Sequence, residues 1–522
     1  MIDLHTILPE DILNEAQNTV TLQEAIMSIT PSTVDTSFQV IMNLPFINSY
    51  DGVKNIANSI LLAAQYRPFS LKSLAELARK LHDQISSENK LGNLNSVFLD
   101  IPVKILDEKW KVAFLREAYV QGLFTDDEVF EAILKYLKNT PIDKKKPFWK
   151  NNSRQHFLFF IWFAPLFEKK DKELFQSTFD HLKLCLEQHQ LTSNYDSFVN
   201  NFDSLKENNW EDYNKLLNNF YGDGSVADVI KNDNLEVLKE IFNRNTNFQV
   251  DSRIESSIFE YTIMLSRKPT LAMFAAFSGS EKCFNYLVEK GADIKARDFG
   301  KRTMLNFAIA GGNNNIIKKV VEYINDFVIA TRISAEYHRF ELFRYFLATK
   351  HADLKANDIE NGSIFHGIAA ANHIKMILFC LGQGCNVNLK DGDGWTPLNC
   401  AIDFRALEAV KVLANINTID LNMQDDYGIA PLIRATIVGD PDIVSELVKH
   451  QKLDINGIGL YSQTALHRAS QNNNIENIRV LLNDPRIDIN IVDHHILVFI
   501  LIMFFIDYLS NPITFCRTKW LY

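Results

Sequence analysis

Several groups of residues in this chain have types and spacings that could do chemistry. His467 closes the tetrad Thr464-Ala465-Leu466-His467, and His366 closes Ser363-Ile364-Phe365-His366. An imidazole can act as a general base, but nucleophilic catalysis also needs a positioned nucleophile and an orienting acid. The sequence shows no such constellation around either histidine. Asp391-Gly392-Asp393-Gly394 looks like the start of a calcium loop. The twelve-residue ligand pattern and its closing glutamate are missing, so a tight turn is the better reading. Gly457-x-Gly459 lacks the third glycine and the helix start of a nucleotide-binding turn. Six cysteines stand at 185, 283, 380, 385, 400 and 516. None forms a C-x-x-C pair or zinc-finger spacing, and reduced core thiols are expected. There is no P-loop, no H-E-x-x-H and no G-x-S-x-G. The chain is therefore expected to be no enzyme and to carry no catalytic residue, metal or cofactor.

The elements that hold these residues explain them. Thr464 opens a short helix, followed by a polar turn and a second helix with Ile475, Ile478, Leu481 and Leu482 at helical spacing. Such a unit cannot cover its own apolar face, and another copy of itself is the economical cover. Counterparts of Thr464 stand at Ala430, Thr396 and Ser363, spaced 34, 34 and 33, and at Thr303 and Thr270, spaced 33. Gly291-Ala292-Asp293 and Gly384-Cys385-Asn386 place glycine where a left-handed helix end belongs. Ile419-Asp420-Leu421-Asn422, Leu453-Asp454-Ile455-Asn456 and Ile487-Asp488-Ile489-Asn490 lead into the next hairpin.

A period near 33 with T-P-L-H-x-A at the first helix resembles the ankyrin-repeat family. The resemblance runs from about residue 225 onward and implies an all-α solenoid, each unit a helix-turn-helix plus hairpin. It also implies that the motif histidine is structural and hydrogen-bonds across the hairpin base, while the threonine caps the helix. Met273, Asn306 and Asn399 hold the histidine place in other units. Ankyrin proteins bind partner proteins, so the resemblance implies a non-enzymatic scaffold or adaptor working through its concave side and hairpin tips. The candidate partner-binding residues at those tips are Phe299, Lys301, Trp395, Asp425, Tyr427 and Tyr461. Asp391, Asp393, Asp425 and Asp426 make the edge acidic and favour a partner with basic patches. Aromatic residues just before the threonine also have a plainer reading, as packing for the next hairpin.

The expected organisation has three parts. Residues 1–222 form a helical N-terminal domain. Residues 223–493 form an array of about seven to eight units, the first and fourth degenerate. Residues 494–522 form an apolar tail. In the first part, Thr21-x-x-Glu24 is a capping-box candidate and Ser70 heads an amphipathic helix through Leu71, Leu74, Leu77, Ala78 and Leu81. Ser86 to Ser96 reads as a loop, and Thr125-Asp126-Asp127-Glu128 opens another helix. Lys144, Lys145, Lys146 and Lys150 read as a solvated loop. Phe157 to Phe167 is too short for a bilayer, is interrupted by Pro165, and reads as a buried helix with Trp149 and Trp162 at its centre. QYRPFSLKSLAELARKL and FIWFAP are similar to the helical leaders of a divergent protozoan class of ankyrin proteins. An effector or enzyme domain in residues 1–222, delivered by the repeats, is the alternative.

With 64 acidic against 54 basic side chains and a net charge of −10, a nucleic-acid partner is not expected. A hydrophobic fraction of 47% fits a folded chain rather than a disordered one. The N-terminus does not read as a secretory signal, and a cytoplasmic location is expected. After Asp493 the pattern breaks into His494-His495 and the apolar run Ile496–Ile506. Four readings stay open there: a cap on the array, a disordered or truncated end, a weak membrane anchor, and a metal pair at the two histidines.

Overall fold

Helix pairs and turns make up most of the described residues in the computed structural model. It describes residues 2–493 except 89–93, 101–107, 143–151, 189–193, 220, 223, 245–248, 256, 325–326, 351–353, 355–356 and 359–361. The lysine run, Trp149 and the tail from His494 lie outside the described residues. One short antiparallel pair is named among them, Asn357–Asp358 with Gly362–Ser363, with Asn357 opposite Ser363. The chain divides into two compact units: Thr21–Asn325, and Met1–Val20 together with residues from Asp326 onward. The division does not fall at the turn cluster near 222.

In the second of these units four regular helix pairs follow one another. They are Ile364–Ala370 with Ile374–Gly382, Pro397–Asp403 with Leu407–Ala414, Pro431–Val438 with Pro441–Val448, and Ala465–Gln471 with Ile475–Asn483. First helices pack on first helices and second on second. This covers the apolar stripe each pair leaves open, and Ile368, Leu398, Leu432 and Leu466 all lie in one continuous core. Thr396 and Thr464 cap their helices by accepting from the backbone N–H three residues on. At the third pair Ala430 stands at the cap and Pro431 at the first helical position, where no N–H is needed. The unit expected to be degenerate keeps its helices, Phe327–Glu336 and Phe340–Lys350.

The N-terminal segment belongs to this stack. Leu8, Leu13 and Ala16 are buried in its core. The Ile2 N–H donates to the Gly382 carbonyl at 2.7 Å, and the Asn417 N–H donates to the Ile7 carbonyl at 3.2 Å. Lys411 Nζ lies 3.2 Å from Glu15 and 3.1 Å from the buried Glu408.

In Thr21–Asn325 the helical leader and the first repeat-like pairs share a core. The pairs are Val226–Lys231 with Leu235–Arg244, Leu271–Ser278 with Glu281–Glu289, and Met304–Gly311 with Asn314–Val321. Thr125 and Glu128 form a full capping box on Asp126–Asn139, and Leu71–Glu88 buries the predicted Leu face. Thr21 does not stand at a helix start: it lies inside Glu10–Met27, which starts with acidic residues behind Pro9, where the helix dipole favours them. The loop expected over Ser86–Ser96 is narrower, because the Leu71 helix runs to Glu88 and a short helix, Leu94–Phe98, begins on buried Leu94.

Pro165 does not end its helix. Ser153–Lys170 continues through it with a kink at Phe163, φ −133°. Proline cannot donate to the carbonyl four residues back. That carbonyl, on Ile161, instead accepts from the buried Tyr213 hydroxyl at 2.8 Å.

The segment between the first two repeat-like pairs is fastened to the leader. Phe259 meets Trp162 edge-on, with centroids 5.6 Å apart, and Tyr261 Oη donates to the Pro68 carbonyl at 2.9 Å. Buried Glu260 accepts from Tyr221 Oη at 2.5 Å and from the Thr262 N–H at 2.7 Å. Burial holds its carboxyl above the usual carboxylate range.

Candidate partner-binding surface

Three of the hairpins that lead into a first helix are each shaped by one aspartate. Asp391 Oδ1 accepts from the N–H groups of Asp393 and Trp395 at 3.0 and 2.8 Å. Asp425 Oδ1 accepts from those of Tyr427 and Ile429 at 2.9 and 2.8 Å. Asp298 Oδ1 does the same for Arg302 at 2.7 Å. All three stand five residues before the helix cap. These carboxylates satisfy main-chain donors that the tight turn would otherwise leave open. The calcium-like Asp391-Gly392-Asp393-Gly394 is such a turn, with Gly394 at φ +76°. Among the described residues no cluster of three or more His, Cys, Asp or Glu could hold a metal.

Two of the six candidates turn inward. The Asp425 side chain is fully buried and ion-paired with Arg434. The Arg434 guanidinium stacks 3.7 Å above the Trp395 ring, and its Nη1 lies 3.2 Å from Asp403. Trp395 and Asp425 are thus brought together by a residue that the motif reading overlooked, and they clamp neighbouring repeats. The signal was present as a period: Asp391 and Asp425 are 34 apart, which marks a structural place rather than a surface charge.

Tyr427 and Tyr461 are also 34 apart, and both face solvent, 60% and 54% exposed. Gly459 occupies the aspartate place in the Tyr461 hairpin, and there Tyr461 and Ser462 take left-handed φ of +61° and +56°. Ile458 and Leu460 beside them are exposed as well. Phe299 and Lys301 belong to a hairpin of the other compact unit. Phe299 is 67% exposed with the Arg253 guanidinium 4.8 Å from its ring, and Lys301 is exposed at φ +64°.

A second periodic set also went unnoticed in the sequence. Asn388, Asn422 and Asn456 each accept from the N–H of Asp420, Asp454 and Asp488 in the next unit, at 2.8–3.0 Å. Each also donates back, to the carbonyls of Thr418, Lys452 and Arg486.

The histidines are structural. His366 Nδ1 accepts from the Ser363 N–H at 3.0 Å. That leaves Nε2 protonated, and it donates to the carbonyls of Leu389 and Trp395, both at 3.0 Å. His467 Nδ1 accepts from the Thr464 N–H at 3.2 Å. Burial lowers the pKa of both rings. A depressed folded-state pKa gives stability that is present above the unfolded value of 6.5 and is lost as pH falls through the folded value. The urea midpoint of the stack should therefore drop between about pH 7 and pH 5. His366→Asn should flatten that slope, since Asn306 fills the same capping place by accepting from the Thr303 N–H at 2.9 Å. An unchanged slope would remove His366 from the effect.

Among the described residues no helix is long and apolar enough to cross a membrane. Residues 327–425 and 415–493 match the family model "Ankyrin repeats (3 copies)". Neurogenic locus notch homolog protein 2 of Homo sapiens is 31% identical over 104 residues, 20% of this chain and 4% of that protein. Protein phosphatase 1 regulatory subunit 12A of Mus musculus is 30% identical over 124 residues, 24% of this chain and 11% of its own length. Inversin of Canis lupus familiaris is 24% identical over 202 residues, 36% of this chain and 18% of its own. The chain thus spans under a fifth of each of these relatives. The capped, aspartate-turned and stacked helix pairs of residues 327–493 are ankyrin repeats.

Proposed function

We propose that the chain is a non-enzymatic adaptor that binds partner proteins through the hairpin tips of its repeats, with Tyr427 and Tyr461 as the anchors. The observation that carries this is the pair itself. Two aromatic rings recur at one repeat interval, stand in solvent, and sit on backbone that is already fixed. Rigid amphipathic side chains of this kind lose little entropy on binding and are frequent hot spots. Phe299 and Lys301 are further partner-facing residues on their own hairpin. Trp395 and Asp425 act as the frame beneath the surface. The exposed carboxylates of Asp393 and Asp426 favour a partner with basic patches. The relatives include a regulatory subunit of protein phosphatase 1, which agrees with binding rather than catalysis. The helical leader agrees with the protozoan subfamily, and the free thiols with a cytoplasmic setting.

The full chain and its Tyr427→Ala/Tyr461→Ala variant should be compared in quantitative pull-downs. Each hot-spot tyrosine is worth about 2 kcal/mol, roughly 30-fold in affinity, while surface truncation should move stability by under about 0.5 kcal/mol. A variant that keeps every partner at full occupancy overturns the assignment.

A further inference from the structure

The second helix Ile374–Gly382 ends in a turn that brings two thiols together. Gly384 takes φ +73°, the Cys385 N–H donates back to the Cys380 carbonyl at 3.1 Å, and the Gly384 N–H donates to Leu381 at 2.9 Å. This pair of bonds is the Schellman closure, and it sets the two outer side chains against each other. At the corresponding turn of another repeat, Gly291 is at φ +93° and the Ala292 N–H donates to Leu287 at 3.0 Å. The facing side chains there are leucine and alanine. The fold therefore closes this turn with an apolar pair and does not require sulfur.

Neither Cys380 nor Cys385 is in a disulfide, and the neighbouring Cys385 thiol together with burial pushes the Cys380 thiol up from its ordinary range. Cys380 is fully buried and Cys385 is partly exposed. An oxidant from solvent meets Cys385 first, and Cys380 waits beneath it. A main-chain hydrogen bond between the two residues already holds their Cα atoms near the separation a disulfide needs. The same turn receives the N-terminal segment: Ile2 donates to the Gly382 carbonyl, and its side chain lies over Gly384.

We propose that Cys380 and Cys385 are a reversible redox switch, a dithiol that closes to an intrachain disulfide on exposure to hydrogen peroxide. In the first step the Cys385 thiolate attacks one peroxide oxygen. The O–O bond breaks, hydroxide leaves, and Cys385 becomes a sulfenic acid. In the second step the Cys380 sulfur attacks the sulfenyl sulfur while its thiol proton passes to the leaving hydroxide, so the S–S bond forms, the S–O bond breaks and water departs. Two thiols and one peroxide give one disulfide and two waters. A dithiol reductant reverses the change by exchange.

The test uses the full chain, reduced, treated with hydrogen peroxide, alkylated and mapped by mass spectrometry. The expected product has lost two hydrogens, carries a cross-link between Cys380 and Cys385, and returns to the reduced form with dithiothreitol. Buried Cys185, Cys283 and Cys400 should stay reduced under the same exposure. Cys385→Ala should form no cross-link and keep the melting temperature of the reduced chain, because alanine already stands in that place at 292. Recovery of both thiols as fully alkylatable overturns the proposal. So does finding Cys385 as a sulfinic or sulfonic acid, or joined to a second chain, with Cys380 still reduced.

Discussion

Arg434→Ala is expected to lower the unfolding free energy of the repeat stack by about 3–5 kcal/mol, the cost of leaving a buried carboxylate without its partner. Asp425 is buried, and its other oxygen already serves two hairpin N–H groups, so it cannot turn outward without opening the turn. The guanidinium also covers the Trp395 ring at 3.7 Å, and that contact is lost at the same time. Asp425→Asn is the informative comparison. It keeps an acceptor for the turn and removes the charge, so it should cost less than Arg434→Ala. Arg434→Lys should fall between, because a point charge cannot stack on the ring and reach Asp403 as well. Equilibrium denaturation at two salt concentrations decides the matter. A cost under about 1 kcal/mol that shrinks with salt is the signature of an exposed pair and would end the clamp interpretation. Trp395→Ala should likewise register in folding before it registers in binding.

What the sequence made legible follows from how far each cue reaches along the chain. The Thr125 cap and the Leu71–Leu81 face depend on residues a turn or so apart along one helix, and the repeat period is such a local pattern restated every 33 or 34 residues. Their patterns survive in a single sequence, and the structure has them all. Thr21 failed because a better-placed start, the acidic first turn at Glu10, outweighs it; Pro165 does interrupt its helix, as the kink at Phe163, and the distant Tyr213 hydroxyl relieves the Ile161 carbonyl. The candidate surface split along the same line. Tyr427 and Tyr461 were legible as tip aromatics because exposure is the default for a hairpin tip. Asp425 and Trp395 look alike in sequence, but they are claimed by Arg434, whose place at the variable fifth position of the motif gave no cue. The docking of Leu8, Leu13 and Ala16 onto helices nearly 400 positions later has no local signature at all.

The same reasoning yields the second large effect. A chain that keeps residues 1–20 but lacks 21–222 should lose the fold of residues 225–325. The apolar residues of that stretch are covered from the leader side. Phe259 packs on Trp162 and Phe198, Phe277 on Phe69, and Tyr261 bonds to Pro68. Removing the leader also takes away Tyr221, whose hydroxyl donates to Glu260, and strands a buried carboxyl. Burying each large apolar side chain is worth about 1.5–3 kcal/mol, so uncovering several at once exceeds the stability that typical domains possess. The point version is Trp162→Ala, expected to cost about 3–5 kcal/mol, since the indole is 5% exposed and both its ring partners lie in the inserted segment. Limited proteolysis with peptide mapping reads both experiments. In that fragment, cleavage should begin within 225–325 and leave the helix pairs of residues 364–483, still covered by Leu8, Leu13 and Ala16, as the slower core. Equal protection of 225–325 in the fragment and in the full chain would mean that the leader is a separable domain. The expectation here is that it is the first wall of the array.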